Sequence, residues 1–301
     1  MAYKPRSQPD ELLLLSSLNR RGDLTPKEKQ HYLNLSKGFK GEVTFDELTK
    51  QLQCDCCILN DLLLQANNTL FQIDTLIITS KKIHMFEVKN YEGEYGLHAD
   101  KFYKLPHYEI VNPLHQLGRS KSLLRQIFHE YAFNLPIEAS VIFINPEFTL
   151  YQATPDKPFI LPTQLKSFMR KLNATNSKLS NTHRHIAEKL NALHIKKSPH
   201  KLLKSYHYAD LQKGITCLKC HSLSTVIEGQ KLVCRKCNHK EAVANAIMRS
   251  VEEFKRLFPK HKITTSVIQD WCQVVNSKKR IRKVLDQHFT KIGTNRWIYY
   301  E

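Results

Sequence analysis

Along the first 172 positions, the spacing of apolar residues changes from helical to strand-like and back to helical. The helical spacing predicts helices at 10–36, with a break near Gly22, and at 41–52. Further helices are predicted at 113–132 and 165–172. Alternating or continuous apolar runs predict strands at 57–64, 70–79, 83–91 and 137–144. Helices and strands in this order predict a mixed α/β fold, with a sheet flanked by helices.

From position 173 onward the pattern is more polar. Residues 173–210 are rich in Asn, Ser, His and Lys, and they predict a basic linker with one helix near 185–193. Beyond a short Cys-rich stretch, helices are predicted at 266–275 and 278–289, and a strand at 296–300. This order resembles a winged-helix or related helix–turn–helix module, whose second helix can enter a DNA major groove. A small helical domain with a solvated basic face is the alternative.

The charge of the chain is concentrated in its C-terminal part. The 301 residues include 46 Lys and Arg against 28 Asp and Glu, for a net charge of +18. Residues 1–165 carry 18 basic and 19 acidic side chains, whereas residues 166–301 carry 28 and 9. This division predicts a nearly neutral domain followed by a region that binds a polyanion, and DNA or RNA is the leading candidate. A solvated tail or an acidic lipid surface would suit the same charge.

Hydrophobic residues make up 41% of the chain, which is enough for a packed core. No apolar run approaches the roughly 20 residues that a membrane helix needs, and the run Leu12–Leu15 follows two acidic residues, unlike a secretion signal. We therefore expect a cytoplasmic protein without a membrane partner. In a reducing compartment, clustered cysteines favour a metal site over disulfides.

A two-residue turn at positions 80–81 would pair two of the predicted strands as a hairpin. In that register Asp74 lies opposite Glu87 and Gln72 lies opposite Lys89, so Asp74, Glu87 and Lys89 share one face. The other face is expected to carry the core residues Ile73, Thr75, Phe86 and Val88.

Two opposed carboxylates repel each other unless a positive charge lies between them. Mg²⁺, or Mn²⁺ in its place, would be held by Asp74 and Glu87 and would keep several water molecules, one of which could attack a phosphodiester. Lys89 could orient or deprotonate that water, or neutralise the charge at phosphorus. An ordinary surface ion pair is the alternative, because Glu-x-Lys is a common sequence.

Four separated motifs share their order and spacing with a known family. They are Gly38-Phe39-Lys40-Gly41-Glu42, Gln72-Ile73-Asp74, Phe86-Glu87-Val88-Lys89-Asn90-Tyr91-Glu92-Gly93 and Asn112-Pro113-Leu114-His115-Gln116. Over about 37–172, the chain therefore resembles the nuclease-related domain family, NERD. The resemblance implies a restriction-endonuclease-like core, related to the PD-(D/E)XK nucleases. It also implies that Asp74, Glu87 and Lys89 are catalytic, and that Glu42 and Gln116 are helix-borne members of the same pocket.

Membership of a family named for its relatedness to nucleases does not by itself establish activity. From the residues alone, Glu42 reads as an ordinary acid at the start of a helix, and Gln116 as a surface amide.

Two Cys-x-x-Cys pairs lie 13 residues apart. They are Cys217 with Cys220 and Cys234 with Cys237. Four thiolates suit tetrahedral Zn²⁺ in a closed structural site, and the residues between the pairs can form a hairpin about Glu228-Gly229. The unit resembles the zinc ribbons of nucleic-acid proteins, including those attached to bacterial topoisomerases. A redox pair or an iron–sulfur cluster is the alternative.

We therefore expect five segments. They are an N-terminal helical segment (1–36), a nuclease-related domain (37–172), a basic linker with a helix (173–210), a zinc ribbon (211–241) and a helical, winged-helix-like, nucleic-acid-binding module (242–301). Within the last segment, the residues expected to bind nucleic acid are Lys278, Lys279, Arg280, Arg282 and Lys283.

The leading hypothesis is a metal-dependent nuclease that cleaves DNA, with the zinc ribbon and the basic module holding the nucleic acid through phosphate contacts. The first alternative is a non-catalytic DNA-binding protein that uses the nuclease-like fold as a scaffold. The second is an adaptor that binds lipid surfaces or proteins. The sequence gives no oligomeric state.

Overall fold

The structure is a computed structural model that describes residues 2–196, 206–294 and 297–301. Its helices are α1 (Asp10–Arg21), α2 (Pro26–Thr49), α3 (Pro113–Glu130), α4 (Pro162–Asn173), α5 (Asn181–Ala192), α6 (Val243–Leu257), α7 (Thr265–Cys272) and α8 (Lys278–His288). Its strands are β1 (Cys57–Ala66), β2 (Thr69–Ile78), β3 (Ile83–Lys89), β4 (Gly93–His98), β5 (Lys101–Lys104), β6 (Tyr108–Ile110), β7 (Ile137–Phe143), β8 (Phe148–Tyr151), β9 (Phe159–Ile160), β10 (Thr225–Glu228), β11 (Lys231–Cys234), β12 (Lys240–Ala242), β13 (Lys291–Ile292) and β14 (Tyr299–Tyr300).

The chain forms two compact units. Unit 1 consists of Met1–Gln8 and Asn34–His200, and unit 2 consists of Pro9–Leu33 and Lys201–Glu301. The predicted N-terminal segment thus contributes α1 to unit 2, and α2 runs from one unit into the other. Of the predicted linker, positions 197–205 lie outside the described residues. Among the residues that are described, no helix is long and apolar enough to cross a bilayer.

Unit 1 is built on a five-stranded mixed sheet with the strand order β1-β2-β3-β7-β9. The first three strands are antiparallel, and β7 and β9 continue the sheet in parallel with β3. One face packs on α3 and α5 through residues such as Leu124 and Leu190. The other packs on α2 and α4 through residues such as Phe45 and Leu165. A mixed sheet flanked by helices confirms the predicted fold class.

A second sheet in unit 1, with the order β6-β5-β4-β8, was not predicted. Its strands have only three to six residues. Each of them buries too few side chains to establish a strand period; β4, for example, buries Tyr95 and Leu97, and β5 buries Phe102.

The prediction of separate helices at 10–36 and 41–52 is wrong, because α2 runs unbroken from Pro26 to Thr49. Gly38 and Gly41 lie within α2, although glycine has a low helix propensity. A Cβ atom on Gly41 would lie 2.5 Å from Cβ of Asn90 and 3.2 Å from Cγ2 of Ile144. Glycine is therefore needed at this position so that α2 can approach the sheet closely, which offsets its low helix propensity.

Unit 2 contains a three-stranded sheet, with the order β10-β11-β12, and a helical module. The β10–β11 hairpin agrees with the prediction, whereas β12 was missed. The module runs α6, a single bridging residue, α7, α8 and the β13–β14 hairpin, with Ile263 bridging to Tyr300. This order resembles that of a winged helix. The predicted strand at 296–300 begins at Arg296, which lies outside the described residues; β14 is its described part.

A buried arginine ties α1 into the core of unit 2. Arg21 is fully buried and donates to carbonyl oxygens of Gln212 and Gly214 and to Glu253 Oε2, at 2.8, 3.0 and 2.6 Å. Its guanidinium carbon lies 4.1 Å from the ring centroid of Trp271. Because the charge is paired and stacked, these contacts fix the position of α1 within the unit.

Candidate active site

The strands β2 and β3 separate where the predicted carboxylates lie. Their pairing runs from Ile78↔Ile83 to Thr75↔Phe86 and confirms the predicted register. Beyond that point β3 keeps only its pairing with β7, which runs along the whole of β3, and the expected pair of Asp74 with Glu87 is not formed in the ladder. Instead, the backbone N–H of Val88 donates to Asp74 Oδ2 at 2.8 Å. We call this point, defined by Asp74, Glu87 and Val88, the strand fork.

A lysine and a glutamine complete the strand fork. Lys89 Nζ donates to Glu87 Oε1 at 2.7 Å and to Gln116 Oε1 at 3.1 Å. Gln116 lies in the first turns of α3, whose start is fixed by Asn112, because the Asn112 side chain accepts from the N–H of Leu114 at 3.0 Å. The structure thus brings together Asp74, Glu87, Lys89 and Gln116, which the sequence placed on three separate segments.

One part of the hairpin prediction is wrong. Ile73 was expected to share a face with Phe86 and Val88, but it packs in the core on the opposite face of the sheet. The reason is a distortion at Asp61 in β1, which has a φ of 54° and leaves the ladder without a pair opposite Asp74. In both β1 and β2, the alternation of side chains between the two faces of the sheet is therefore shifted by one residue at this point.

Glu42 reaches the same region from α2, where Arg6 holds it. Arg6 Nη1 donates to Glu42 Oε2, and Arg6 Nε and Nη2 donate to the two carboxylate oxygens of Asp46 at 2.9 and 3.1 Å. Arg6 Nη2 also donates to the carbonyl oxygen of Asp74 at 2.7 Å. Through these contacts, the segment before α1 links Glu42 to the strand fork.

These contacts set the context for the comparison with known families. Residues 37–144 match the model of the family NERD, described as nuclease-related domain. This match confirms the resemblance read from the motifs. It covers just over a third of the chain and includes all five of the side chains expected at the site, Glu42, Asp74, Glu87, Lys89 and Gln116. A search of curated proteins and a search of solved structures each found no match.

Burial and the charges of neighbouring acids raise the pKa values of Glu42, Asp74 and Glu87. Burial, followed by the charge of Asp74, raises the pKa of Glu87 to about 8. The same two causes raise the pKa of Glu42 to about 7 against the influence of Arg6. Burial also raises the pKa of Asp74. Arg6 and Lys89 therefore do not supply enough positive charge for all three carboxylates.

The pKa of Lys89 is also raised, but for a base this favours the charged form. Burial lowers the pKa of Lys89, but the neighbouring Glu87 raises it, and the net shift is upward. Lys89 therefore stays an ammonium near neutral pH, and it is suited to donate hydrogen bonds or neutralise negative charge. The role of a general base, which the sequence left open, is disfavoured by this shift.

The donor set fits a small divalent cation. Asp74 Oδ1 and Glu87 Oε2 accept no hydrogen bond from the residues that the structure describes, whereas the other oxygen of each carboxylate is occupied. Each carboxylate thus has one oxygen that is available to a cation, and its raised pKa shows that the surrounding positive charge does not fully compensate it. Such oxygens are suitable ligands for Mg²⁺ or Mn²⁺. Asp74 and Glu87 are thus the residues that could hold the ion.

Arg6 was missed by the sequence analysis. It lies outside the nuclease-related domain, and no motif contains it. Its side chain is 3% exposed, so its contacts with Glu42 and Asp46 are shielded from water. We expect Arg6→Gln to lower the free energy of unfolding by about 3 kcal/mol, since removal of one partner leaves buried charge without compensation. Urea denaturation followed by circular dichroism measures this change.

A matched control for Arg6 is Lys50, which directly follows α2, the helix that carries Glu42 and Asp46. Lys50 pairs with Glu47, and both side chains are more than half exposed. Lys50→Gln should therefore change the free energy of unfolding by no more than about 0.5 kcal/mol. Equal, small effects of the two substitutions would show that Arg6 does not hold Glu42 in place.

In unit 2, the four predicted zinc ligands form one cluster. The Sγ atoms of Cys217, Cys220, Cys234 and Cys237 all lie within 4.8 Å of one another. Cys217 and Cys237 are 3.6 Å apart, and Cys220 and Cys234 are 3.5 Å apart, between their Sγ atoms. Sulfur atoms around a tetrahedral zinc ion are separated by about 3.8 Å, so the donor set fits Zn²⁺. The N–H of Lys219 donates to Cys217 Sγ at 3.4 Å and would stabilise a thiolate.

The basic residues expected to contact nucleic acid lie on α8. Ser277 caps this helix, since its Oγ accepts from the N–H of Arg280 at 3.3 Å. The apolar side of α8, with Ile281, Val284 and Leu285, is buried in unit 2. None of the five basic residues has an ion-pair partner in the part of the chain that the structure describes; they are Lys278, Lys279, Arg280, Arg282 and Lys283.

Proposed function

We propose that this protein is a divalent-cation-dependent nuclease that hydrolyses phosphodiester bonds in DNA. The observation that carries the proposal is the convergence of Asp74, Glu87, Lys89 and Gln116 at the strand fork. The match of residues 37–144 to the nuclease-related domain supports it.

In this proposal Asp74 and Glu87 are the residues that would hold Mg²⁺ or Mn²⁺. When bound, the cation stabilises the negative charge that develops on the phosphodiester and makes a neighbouring water more acidic. The backbone N–H of Val88 fixes the orientation of Asp74. Glu42, held by Arg6, adds a further carboxylate that can accept a hydrogen bond from a water molecule in the pocket.

Lys89 acts as a positioned cation. Glu87 and Gln116 both accept hydrogen bonds from its ammonium group, which limits the positions that Nζ can adopt. An ammonium fixed in this way can orient the attacking water or neutralise an equatorial phosphoryl oxygen. Gln116 therefore serves as a positioning residue for Lys89.

Unit 2 supplies the nucleic-acid contacts in this proposal. The exposed cations of α8 would bind phosphates, and the turn between α7 and α8 suits insertion of a helix into the major groove of DNA. The deep, narrow major groove of an RNA duplex does not admit a helix. DNA is therefore the favoured substrate.

The proposal is tested by incubating the purified chain with plasmid, linear duplex and single-stranded DNA, and with RNA, in Mg²⁺, Mn²⁺ or chelator. Cation-dependent nicking of DNA is the expected result. Binding without cleavage under all of these conditions would favour the alternative of a non-catalytic DNA-binding protein.

Binding to duplex DNA should depend steeply on salt. Each phosphate that a protein neutralises contributes about −0.9 to the slope of log K against log salt concentration. Substitution of the exposed Lys279 and Lys283 by Gln should therefore reduce the magnitude of the slope by roughly 1.8. Fluorescence anisotropy at several salt concentrations measures it.

The control for this experiment removes the same charge from unit 1. Lys166 and Lys171 are exposed lysines of α4. Their replacement by Gln should leave the slope nearly unchanged. If both double variants reduce the slope equally, DNA binding depends on overall charge and α8 has no special role.

A further inference from the structure

The two tryptophans of the chain have opposite environments. Trp271 is fully buried in the core of unit 2, whereas the side chain of Trp297 is 84% exposed. Among the residues that the structure describes, Trp297 is the most exposed large hydrophobic residue, and its ring offers a flat face on which a base can stack.

Two features of the backbone hold Trp297 beside the β13–β14 hairpin. Its N–H donates to the carbonyl oxygen of Thr294 at 3.1 Å. Gly293 has a φ of 83°, and a Cβ on this glycine would lie 2.6 Å from the carbonyl oxygen of Trp297. The backbone of Trp297 is thus held close to Gly293 and Thr294, at a position that requires glycine at 293.

The hairpin is anchored to the helical module. The N–H of Tyr300 donates to the carbonyl oxygen of Ile263 at 2.9 Å, and its hydroxyl donates to Asp286 Oδ1 at 2.9 Å. Thr290 and Glu301 exchange backbone hydrogen bonds of 2.9 and 3.1 Å. Asp286 lies on α8, so the hairpin that carries Trp297 is linked directly to the basic helix.

The surroundings of Trp297 within unit 2 are mainly basic. Lys291 is exposed on β13, and Lys262 Nζ lies 4.5 Å from the ring centroid of Tyr299 on β14. Of the acidic groups on these elements, Asp286 is engaged by Tyr300, and Glu301 lies at the end of β14. The helix α8 has 11 residues and is about 16 Å long. Its unpaired cations and the hairpin can therefore contact one polyanion.

We propose that Trp297 stacks on an unpaired base of a nucleic acid while the cations of α8 bind the adjacent phosphates. Every nucleic-acid base has a flat face that an aromatic ring can cover. Stacking on an unpaired base requires no separation of stacked base pairs, whereas insertion into a duplex must first unstack them. The proposed ligand is therefore DNA with a single-stranded segment. This inference extends the proposed nucleic-acid binding by unit 2.

Intrinsic fluorescence tests the proposal on the full chain without added Mg²⁺. The probes are an oligothymidine of about 12 nucleotides, a blunt duplex of equal length, heparin and phosphatidylserine vesicles. Oligothymidine should quench the exposed tryptophan and protect it from acrylamide, and the change should be absent in Trp297→Phe. Trp297→Ala should weaken binding of the oligothymidine about 10-fold and that of the blunt duplex less than about 2-fold.

The control is Gln287→Ala, at an exposed uncharged position of α8, which should change neither affinity. Saturating oligothymidine that leaves the acrylamide accessibility of Trp297 unchanged would overturn the proposal. Equal protection by heparin, which has no bases, or protection by the vesicles alone would also overturn it. A chain that shows these effects but does not cleave DNA would refute only the nuclease proposal, and a chain that cleaves without them would refute only the stacking of Trp297.

Discussion

Glu87→Gln is expected to reduce cation-dependent cleavage of DNA by about 10³-fold. The substitution preserves the shape of a side chain that is almost completely buried, but it removes the negative charge. The proposed cation loses one of its two carboxylate ligands, and Lys89 loses the charge that keeps its ammonium group in place. Single-turnover cleavage of plasmid DNA, together with calorimetric titration of Mn²⁺, measures both losses.

Stability separates this loss of activity from misfolding. The pKa of Glu87 is raised to about 8 by burial and by Asp74, so the folded protein binds a proton more tightly than the unfolded chain does. As the pH rises from about 4.5, the ordinary pKa of a glutamate, to about 8, ionisation of Glu87 therefore increasingly opposes folding. In the absence of metal, Glu87→Gln should be no less stable than the unsubstituted protein at pH 8. A large decrease in its free energy of unfolding would contradict the assignment.

A second Glu–Lys pair on the same sheet gives the matched control. Glu138 on β7 pairs with Lys82, and both of these side chains are about half exposed. Glu138→Gln should retain full activity, because exposed ion pairs contribute little. Equal losses of activity in the two variants would remove the evidence for a site at the strand fork.

Cys234→Ser is expected to remove bound metal and to destabilise unit 2. The purified protein should contain about one zinc ion per chain, and the variant much less. Structural zinc binding contributes roughly 10–16 kcal/mol in small domains. Leu232, two residues before Cys234 on β11, belongs with Ile215 to the apolar core of unit 2. Loss of the metal should therefore lower the melting temperature of the module as well as unfold the ribbon. Atomic emission spectroscopy and calorimetry measure these effects.

Cys54→Ser is the control for the zinc experiment. Cys54 belongs to unit 1 and is not a member of the four-cysteine cluster, and it is only partly buried. Its substitution should leave the zinc content unchanged. Absorption near 400 nm in the purified protein would instead support the iron–sulfur alternative, and an unchanged metal content in Cys234→Ser would show that this thiol is not a ligand.

The register of the β2–β3 hairpin was predictable because it depends on local features. A two-residue turn fixes which residues are opposed, and the strand period of two fixes which residues share a face. The same reasoning predicted the β10–β11 hairpin. The spacing of the two Cys-x-x-Cys pairs predicted that the four thiols form one cluster. Local reasoning failed for α2. Gly41 stays within this helix because Asn90 and Ile144 leave no room for a side chain there, and both residues are far from Gly41 along the chain.

The sequence by itself determined the positions of the carboxylates, the lysine and the cysteines along the chain, together with the concentration of positive charge after residue 165. Only the tertiary structure decided that Arg6 joins Glu42 to the strand fork, that Ile73 changes face beside Asp61, and that one tryptophan is buried while the other is exposed. The physical reason is the range of the interactions. Turns and strand periods act between near neighbours, whereas these three outcomes depend on packing and charge compensation between segments far apart in the chain.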